Sequence, residues 1–135
     1  MLADDIAAAL PGLRAEAEAR MADTFEAFAA TTGKVDGLDT RTWGSQGTTP
    51  GRLAGRTRGS DPHTRTVTIG DVEVPVLESG LHLPLSAPLP AIGWEYVCTD
   101  VGPSSDPSLL GRRWRVVSVP AQSNATARRL DVVEV

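Results

Sequence analysis

The first apolar pattern of the chain is a helical stripe at its beginning. Six apolar side chains recur at spacings of three or four residues within residues 2–22, namely Leu2, Ile6, Leu10, Leu13, Ala17 and Met21. Because this spacing places side chains on one face of a helix, the segment is predicted to be an amphipathic helix. Pro11 removes one backbone donor and Gly12 follows it, so we expect either a kink near Pro11 or a restart with Pro11 in the first turn.

Beyond Thr24 the apolar positions alternate with a period of two, which is typical of β-strands. Val67 and Ile69 precede Gly70-Asp71, and alternating valines follow at 72–76, so a β-hairpin is predicted there. Pro75 falls on the face opposite the valines and cannot donate to a ladder, which predicts a sheet edge or a bulge. Further strands are predicted at residues 24–30, 81–85, 96–101, 113–119 and 128–135.

Two stretches rich in glycine and proline separate these strands. Residues 31–41 are predicted to be a turn-rich connection through Gly33 and Gly37, and residues 44–63 a long loop with room for a short strand at 52–57. A loop of this length in a compact domain is uncommon and is usually functional or disordered. The candidate residues for contact with a channel or a partner lie in this loop and are Arg52, Arg56, Arg58 and His63.

These elements predict one domain. The 135 residues of the chain fit the usual size of a single domain. Several short strands at a spacing of about 8–12 residues favour a barrel or a sandwich. We predict a mainly β fold with an N-terminal α-helix at 1–22, followed at 23–135 by a small antiparallel β-barrel with a long loop.

Composition then narrows the chemistry. No run approaches the ~18 apolar residues of a spanning helix, and Asp4 and Asp5 stand where a secretory signal carries positive charge, so a soluble protein made in the cytoplasm is predicted. Cys98 is the single cysteine and is interpreted as a small buried hydrophobe, while His82 is interpreted as a residue on the solvent face of a strand. With His63 distant in sequence, no metal-ligand spacing or catalytic set is recognisable. We expect no enzyme, no cofactor and no metal.

The net charge of −4 is divided into blocks of alternating sign. Residues 1–30 carry −4, residues 31–66 carry +3, residues 67–111 carry −6 and residues 112–135 carry +3. Such blocks favour surface patches of opposite sign, as a self-associating subunit would use, although a folded domain can also mix them without consequence.

Arginines of the last block are candidates for contacts between subunits. The period of two predicts Trp114 and Val116 in the core and the flanking arginines in solvent, where they are available to pair with acids on a neighbour. The candidate intersubunit residues are Arg113, Arg115, Arg128 and Arg129.

Four segments in a particular order resemble a known class of viral protein. They are residues 18–24, 81–85, 106–116 and 125–130, and the most specific is Asp106-Pro107 followed by Gly111-Arg112-Arg113-Trp114-Arg115-Val116. Together they resemble the small head-closure proteins of tailed phages that infect actinobacteria, within the wider family of head-to-tail connector (stopper) proteins of long-tailed phages. The resemblance extends over residues 1–24 and 78–135.

The resemblance implies a structural protein of the virion neck, at the head–tail junction, assembled in the host bacterial cytoplasm. Such a subunit forms a homo-oligomeric ring of six or twelve copies, six being favoured, that helps to retain packaged DNA and provides the tail attachment surface. The implied partners are portal or adaptor proteins on the head side and a tail terminator or tail tube on the tail side. Proximity to packaged double-stranded DNA is non-specific, and no membrane is involved.

Two other functions stay open. The first is another neck or tail-completion protein, such as a tail terminator. The second is a single-stranded nucleic-acid-binding β-barrel, which the many arginines favour. The negative net charge argues against it, and so does the lack of tryptophans interleaved with arginines, apart from Trp114.

Overall fold

The computed structural model describes residues 2–54, 64–69, 71–121 and 125–135. Within these ranges one α-helix is followed by seven β-strands. A single turn of 3₁₀ helix at Pro107–Leu109 lies between the fifth and the sixth strand. The helix and strands are α1 (Leu2–Ala19), β1 (Asp23–Val35), β2 (Leu38–Ala54), β3 (Thr64–Ile69), β4 (Val72–Leu83), β5 (Glu95–Asp100), β6 (Arg113–Ser118) and β7 (Arg128–Glu134).

Helix α1 continues through Pro11, so the restart expected as one alternative is wrong, while the kink stays a prediction. The helix ends earlier than predicted, where the backbone N–H groups of Arg20 and Met21 donate to the last turn. Met21 is buried, whereas Ile6 and Leu13 are 38% and 47% exposed. Leu10 and Ala17 are half-buried, so the predicted stripe is buried completely at Met21 and partly or hardly at the other described positions.

The strands form one antiparallel sheet that closes on itself. Their order is β2-β1-β5-β6-β7-β4-β3, and an additional pairing joins β2 to β4. Six strands therefore close in a ring, and β3 is attached to β4 outside it. The predicted fold class is confirmed as mainly β and antiparallel with an N-terminal helix.

The core lies inside the ring and is formed by alternate residues of its strands. The rings of Phe25 and Trp114 meet edge to face, with 6.0 Å between their centroids, a favourable aromatic arrangement. The predicted inward orientation of Trp114 and Val116 is confirmed, as is the burial of Cys98. The buried cluster comprises Phe25, Ala27, Leu81, Leu83, Tyr96, Cys98, Trp114, Val116, Leu130 and Val132.

The predicted connection at 31–41 and the first part of the predicted loop at 44–63 are wrong, because these residues form strands. β1 continues to Val35, a turn at Asp36-Gly37 follows, and β2 extends to Ala54. Both turn residues have positive φ, 54° and 78°, as two-residue hairpin turns of this type require. β1 is paired with β2 along the whole length of β1. This pairing outweighs the tendency of the glycines and Pro50 of β2 to form a loop, which is what the sequence alone indicates. The remaining candidates Arg56, Arg58 and His63 lie outside the described residues.

The predicted hairpin of β3 and β4 is confirmed by the pairing of residues 64–69 with 77–72. β4 then continues to Leu83, so the strand expected at 81–85 is the second half of β4. That half pairs with β7 from Glu78 onward, while the half containing Pro75 pairs with β3 alone among the described strands. Pro75 therefore lies on an edge, as predicted.

β1 and β2 also extend beyond the ring. β5 pairs with β1 only over residues 24–28, so residues 29–35 and 38–44 pair with each other and with no other described strand. Seven residues at ~3.4 Å each make this hairpin about 24 Å long. We call residues 29–44 the β1–β2 arm. Val35 and Leu38 at its tip are 59% and 71% exposed.

Candidate interaction site

Three neighbouring strands of the ring bring Arg52, His82 and Arg129 side by side. Arg52 on β2 is paired with His82 on β4, and His82 is paired with Arg129 on β7. Directly opposed residues of antiparallel strands have Cβ atoms about 4.5–5.5 Å apart. Because the adjacent residues Leu81 and Leu130 are in the core, alternation places all three on the outer face. We call these three residues the cationic row.

The C-terminal end of α1 passes beside the cationic row and closes a cleft of about 140 Å³. Arg20, which directly follows this end, adds a third arginine to the lining, and Thr126 and Ala127 line the cleft as well. Residues from the end of α1 and just after it line the cleft together with residues of β2, β4 and β7, and Met21 among them is buried. The residues that line it are Ala17, Arg20, Met21, Arg52, His82, Thr126, Ala127 and Arg129.

The pKa of His82 reflects the positive charge around the cleft. Its pKa lies below the ordinary value because the side chain is half-buried, and the nearby Arg129 and Arg52 guanidinium groups lower it further. His82 is thus on the outer face, as predicted, but it is less exposed than an ordinary surface histidine. A proton on this imidazole would add a further positive charge to a site that already holds several.

The arginines of the cleft are not neutralised by carboxylates in the part of the chain that the structure describes. Its ion pairs involve Arg112, Arg113 and Arg115, and none includes Arg20, Arg52 or Arg129. Asp131, two residues after Arg129 on β7, is not a member of any of these ion pairs. Arg52 and Arg129 stand on either side of His82, so an anion in the cleft would meet positive charge from both.

Sequence reasoning placed the arginines of β6 in solvent but missed their partner. Arg113 and Arg115 are 45% and 41% exposed, and both contact Glu95, which is only 2% exposed. The closest N–O distances are 3.0 Å from Arg113 and 2.7 Å from Arg115. Glu95 stands opposite Arg115 in the β5–β6 register, and a sequence does not reveal which strands are neighbours. Contact of these arginines with another subunit stays a prediction.

Arg128 and Arg129, predicted together, lie on opposite faces of β7. Arg128 shares the inner face with Leu130 and Val132, and its guanidinium donates to the Leu85 carbonyl oxygen at 3.5 Å. Arg129 is exposed and belongs to the cationic row. Arg128 is also close to Tyr96, whose pKa burial raises to about 12 against the opposing effect of this arginine. Of the pair, Arg129 is the one available to an external ligand or partner.

Three findings concern metal binding, thiol reactivity and membrane-spanning helices among the described residues. They contain no group of three or more His, Cys, Asp and Glu side chains arranged to hold a metal ion. Burial raises the pKa of the Cys98 thiol, which keeps it in the less reactive protonated form. No helix in the described ranges has the length and apolar character needed to cross a membrane.

The fold and the cleft define a mainly β protein with an N-terminal helix, a closed six-stranded sheet, a protruding arm and an outward-facing cationic site. Residues 13–133 match a family of unknown function (DUF6093), and the chain belongs to this family. Neither a curated protein nor a solved structure matches the chain.

Proposed function

We propose that this protein is a head-to-tail connector subunit of a tailed phage, acting in head closure as a structural component of the virion neck. In this proposal the six-stranded ring of β-strands is a small β-barrel, and copies of the subunit assemble into a ring below the portal and adaptor. The ring helps to retain packaged DNA and provides the tail attachment surface. The resemblance of residues 18–24, 81–85, 106–116 and 125–130 to head-closure proteins supports this function.

The β1–β2 arm is the structural observation that carries the proposal. A two-stranded hairpin standing alone is marginally stable in water, and its outer edges offer unpaired backbone groups to another chain. The arm is held by its own ladder and by the Thr40 and Thr42 hydroxyls, which donate to carbonyl oxygens of β1. With Val35 and Leu38 exposed at its tip, it is suited to packing on a neighbouring copy in a ring.

Helix α1 supports the same conclusion. Its exposed Ile6 and Leu13 lie on the apolar stripe that an amphipathic helix normally buries. A neighbouring subunit would cover this stripe once a ring has formed. The arm and the helix thus give the subunit two elements that become buried through assembly.

The cationic row favours the second candidate function, single-stranded nucleic-acid binding. That function also requires exposed aromatic rings on which bases stack. Trp114, the tryptophan flanked by arginines, is only 2% exposed and is therefore unavailable for stacking. Connector assembly accounts for the arm and the helix as well, so we favour it over nucleic-acid binding. A tail terminator is another ring-forming neck protein, and the position of the ring in the particle distinguishes it from a head-closure protein.

Native mass spectrometry and negative-stain microscopy, with and without purified portal–adaptor complexes, test the proposal. We expect discrete rings of this subunit, at least in the presence of the connector partner. A protein that stays monomeric and ignores the portal–adaptor complex would contradict it.

An arm-shortened variant makes the test specific. Replacing residues 32–41 by Asn-Gly joins the paired residues Thr31 and Thr42 through a two-residue turn. The replaced segment contains Lys34 and Arg41 along with Asp36 and Asp39, so the net charge stays at −4. We expect unchanged circular dichroism and loss of the ring. A folded variant that still assembles like the parent would show that the arm does not mediate assembly.

A further inference from the structure

We propose that the cleft between the end of α1 and the cationic row is a binding site for a phosphate group. Arg20, which directly follows α1, lines it together with Arg52 of β2 and Arg129 of β7, and His82 of β4 forms part of its wall. The site is a property of the single subunit. The inference therefore does not rest on ring formation.

The charge of the cleft favours an anionic ligand. Arg52 and Arg129 flank His82 in directly paired positions, and the described structure places no carboxylate in an ion pair with them or with Arg20. The acids closest in sequence are Glu18 on α1 and Asp131 on β7, and neither lines the cleft. A ligand with two negative charges can therefore form charge-assisted hydrogen bonds with these arginines.

The size of the cleft and the arrangement of its arginines favour a phosphate among anions. About 140 Å³ is much less than the ~300 Å³ at which sites for drug-sized molecules begin. It admits about five groups of the size of water, which takes roughly 30 Å³, and a phosphate has five heavy atoms. Cations from three directions also suit a tetrahedral anion better than a carboxylate, whose two oxygens one arginine can satisfy in the bidentate manner.

The phosphate could be a free ion or part of a nucleic-acid backbone. Arg20, Arg52 and Arg129 are all exposed, so the cleft is open to a large ligand as well as to a small one. A backbone phosphate would enter the same cleft and meet the same guanidinium groups. Inorganic phosphate and a short DNA duplex are therefore the two probes that separate these sources.

The test monitors the His82 imidazole by NMR while inorganic phosphate is added at constant ionic strength. Constant ionic strength removes the general screening effect of salt. The chain has two histidines, and a His82→Gln variant assigns the resonance. We expect a saturable shift of the His82 signal and a rise of its pKa, because an anion beside the imidazole favours its protonated form.

Arginine variants locate the site. Arg52→Gln and Arg129→Gln are each expected to weaken phosphate binding about tenfold, since each removes charge-assisted hydrogen bonds. Arg41→Gln is the matched control: Arg41 is an exposed arginine of the β1–β2 arm, with its guanidinium 5.3 Å from the Trp43 ring, and its loss should leave binding unchanged. Both cleft variants should nearly keep the urea unfolding midpoint of the parent, because Arg52 and Arg129 are exposed and belong to none of the described ion pairs.

The outcomes are distinct. A His82 response to both phosphate and duplex, with competition between them, supports the site and makes a nucleic-acid backbone its source. A response to phosphate alone supports a site for a free phosphate or a phosphate monoester. If phosphate leaves the His82 signal unchanged, or if the cleft variants bind phosphate as tightly as Arg41→Gln, the inference is overturned, whether or not the subunit forms rings.

Discussion

Gly51 is a buried residue of β2 next to core side chains, and replacing it with alanine tests the packing at the ring closure directly. A Cβ atom at this position would lie 2.9 Å from Cδ2 of Phe25 and 3.0 Å from Cδ2 of Leu83. Both side chains are fully buried. Neither can turn into solvent to make room, so the new methyl group forces a shift of packed side chains or of β2 itself.

The cost can be estimated from these distances. Carbon atoms pack best at about 3.5–4.0 Å, so the added methyl group is short of that separation by roughly 0.5–1 Å at each contact. Overpacking of this kind costs typically about 1–3 kcal/mol. For a chain of this size, a loss of about 2 kcal/mol in the free energy of unfolding lowers the Tm by about 6–10 °C.

Urea unfolding followed by tryptophan fluorescence and circular dichroism measures this change. Gly44→Ala is the matched control, because it is the same substitution on the same strand and its nearest contact is the Gln46 side chain at 3.8 Å. Gly44→Ala should be neutral or slightly stabilising, since glycine within a strand costs about 0.5–1 kcal/mol relative to alanine.

A second variant separates the packing clash from other causes. Leu83→Ala by itself is destabilising. In combination with Gly51→Ala it removes one of the two side chains that the new methyl group would contact, so the double variant should lose less free energy of unfolding than the two single variants lose together. If Gly51→Ala is as stable as Gly44→Ala, or if its cost is unchanged in the Leu83→Ala background, the described packing of β2 against β4 is refuted.

Three further predictions concern ionisable groups. Glu95→Gln should lower the free energy of unfolding by about 1–3 kcal/mol, because it leaves two partly exposed arginines without their buried partner; Glu134→Gln, which removes the exposed pair with Arg112, should leave the urea midpoint nearly unchanged. The folded chain holds the pKa of His82 below 6.5, so the unfolded chain takes up the proton first and the free energy of unfolding should fall as the pH drops below that value. In urea titrations at about pH 7.5 and about pH 5, His82→Gln should lose less stability between the two pH values than the parent does. Cys98 should react with a thiol reagent only after denaturant is added, because it is buried with a raised pKa, and rapid modification of the native protein would contradict this.

The candidate site shows how far local patterns reach. Alternation in sequence correctly placed Trp114 inside and His82 outside, because the orientation of a strand residue depends only on its immediate neighbours. It could not show that His82 stands between Arg52 and Arg129, since these residues come from three strands and meet through the register of two pairings. Glu95 was missed for the same reason, as its arginines follow it by 18 and 20 residues.

The sequence by itself determined the N-terminal helix, the β-rich remainder, the β3–β4 hairpin and the inward residues of β5 and β6, because periodicity and turn chemistry are local properties. Only the tertiary structure decided that residues 38–54 form β2. Their glycines and Pro50 are loop signals that pairing with β1, and closure onto β4, override. The β1–β2 arm and the closure of the ring both depend on that strand, since its pairing is set by distant partners rather than by its own composition.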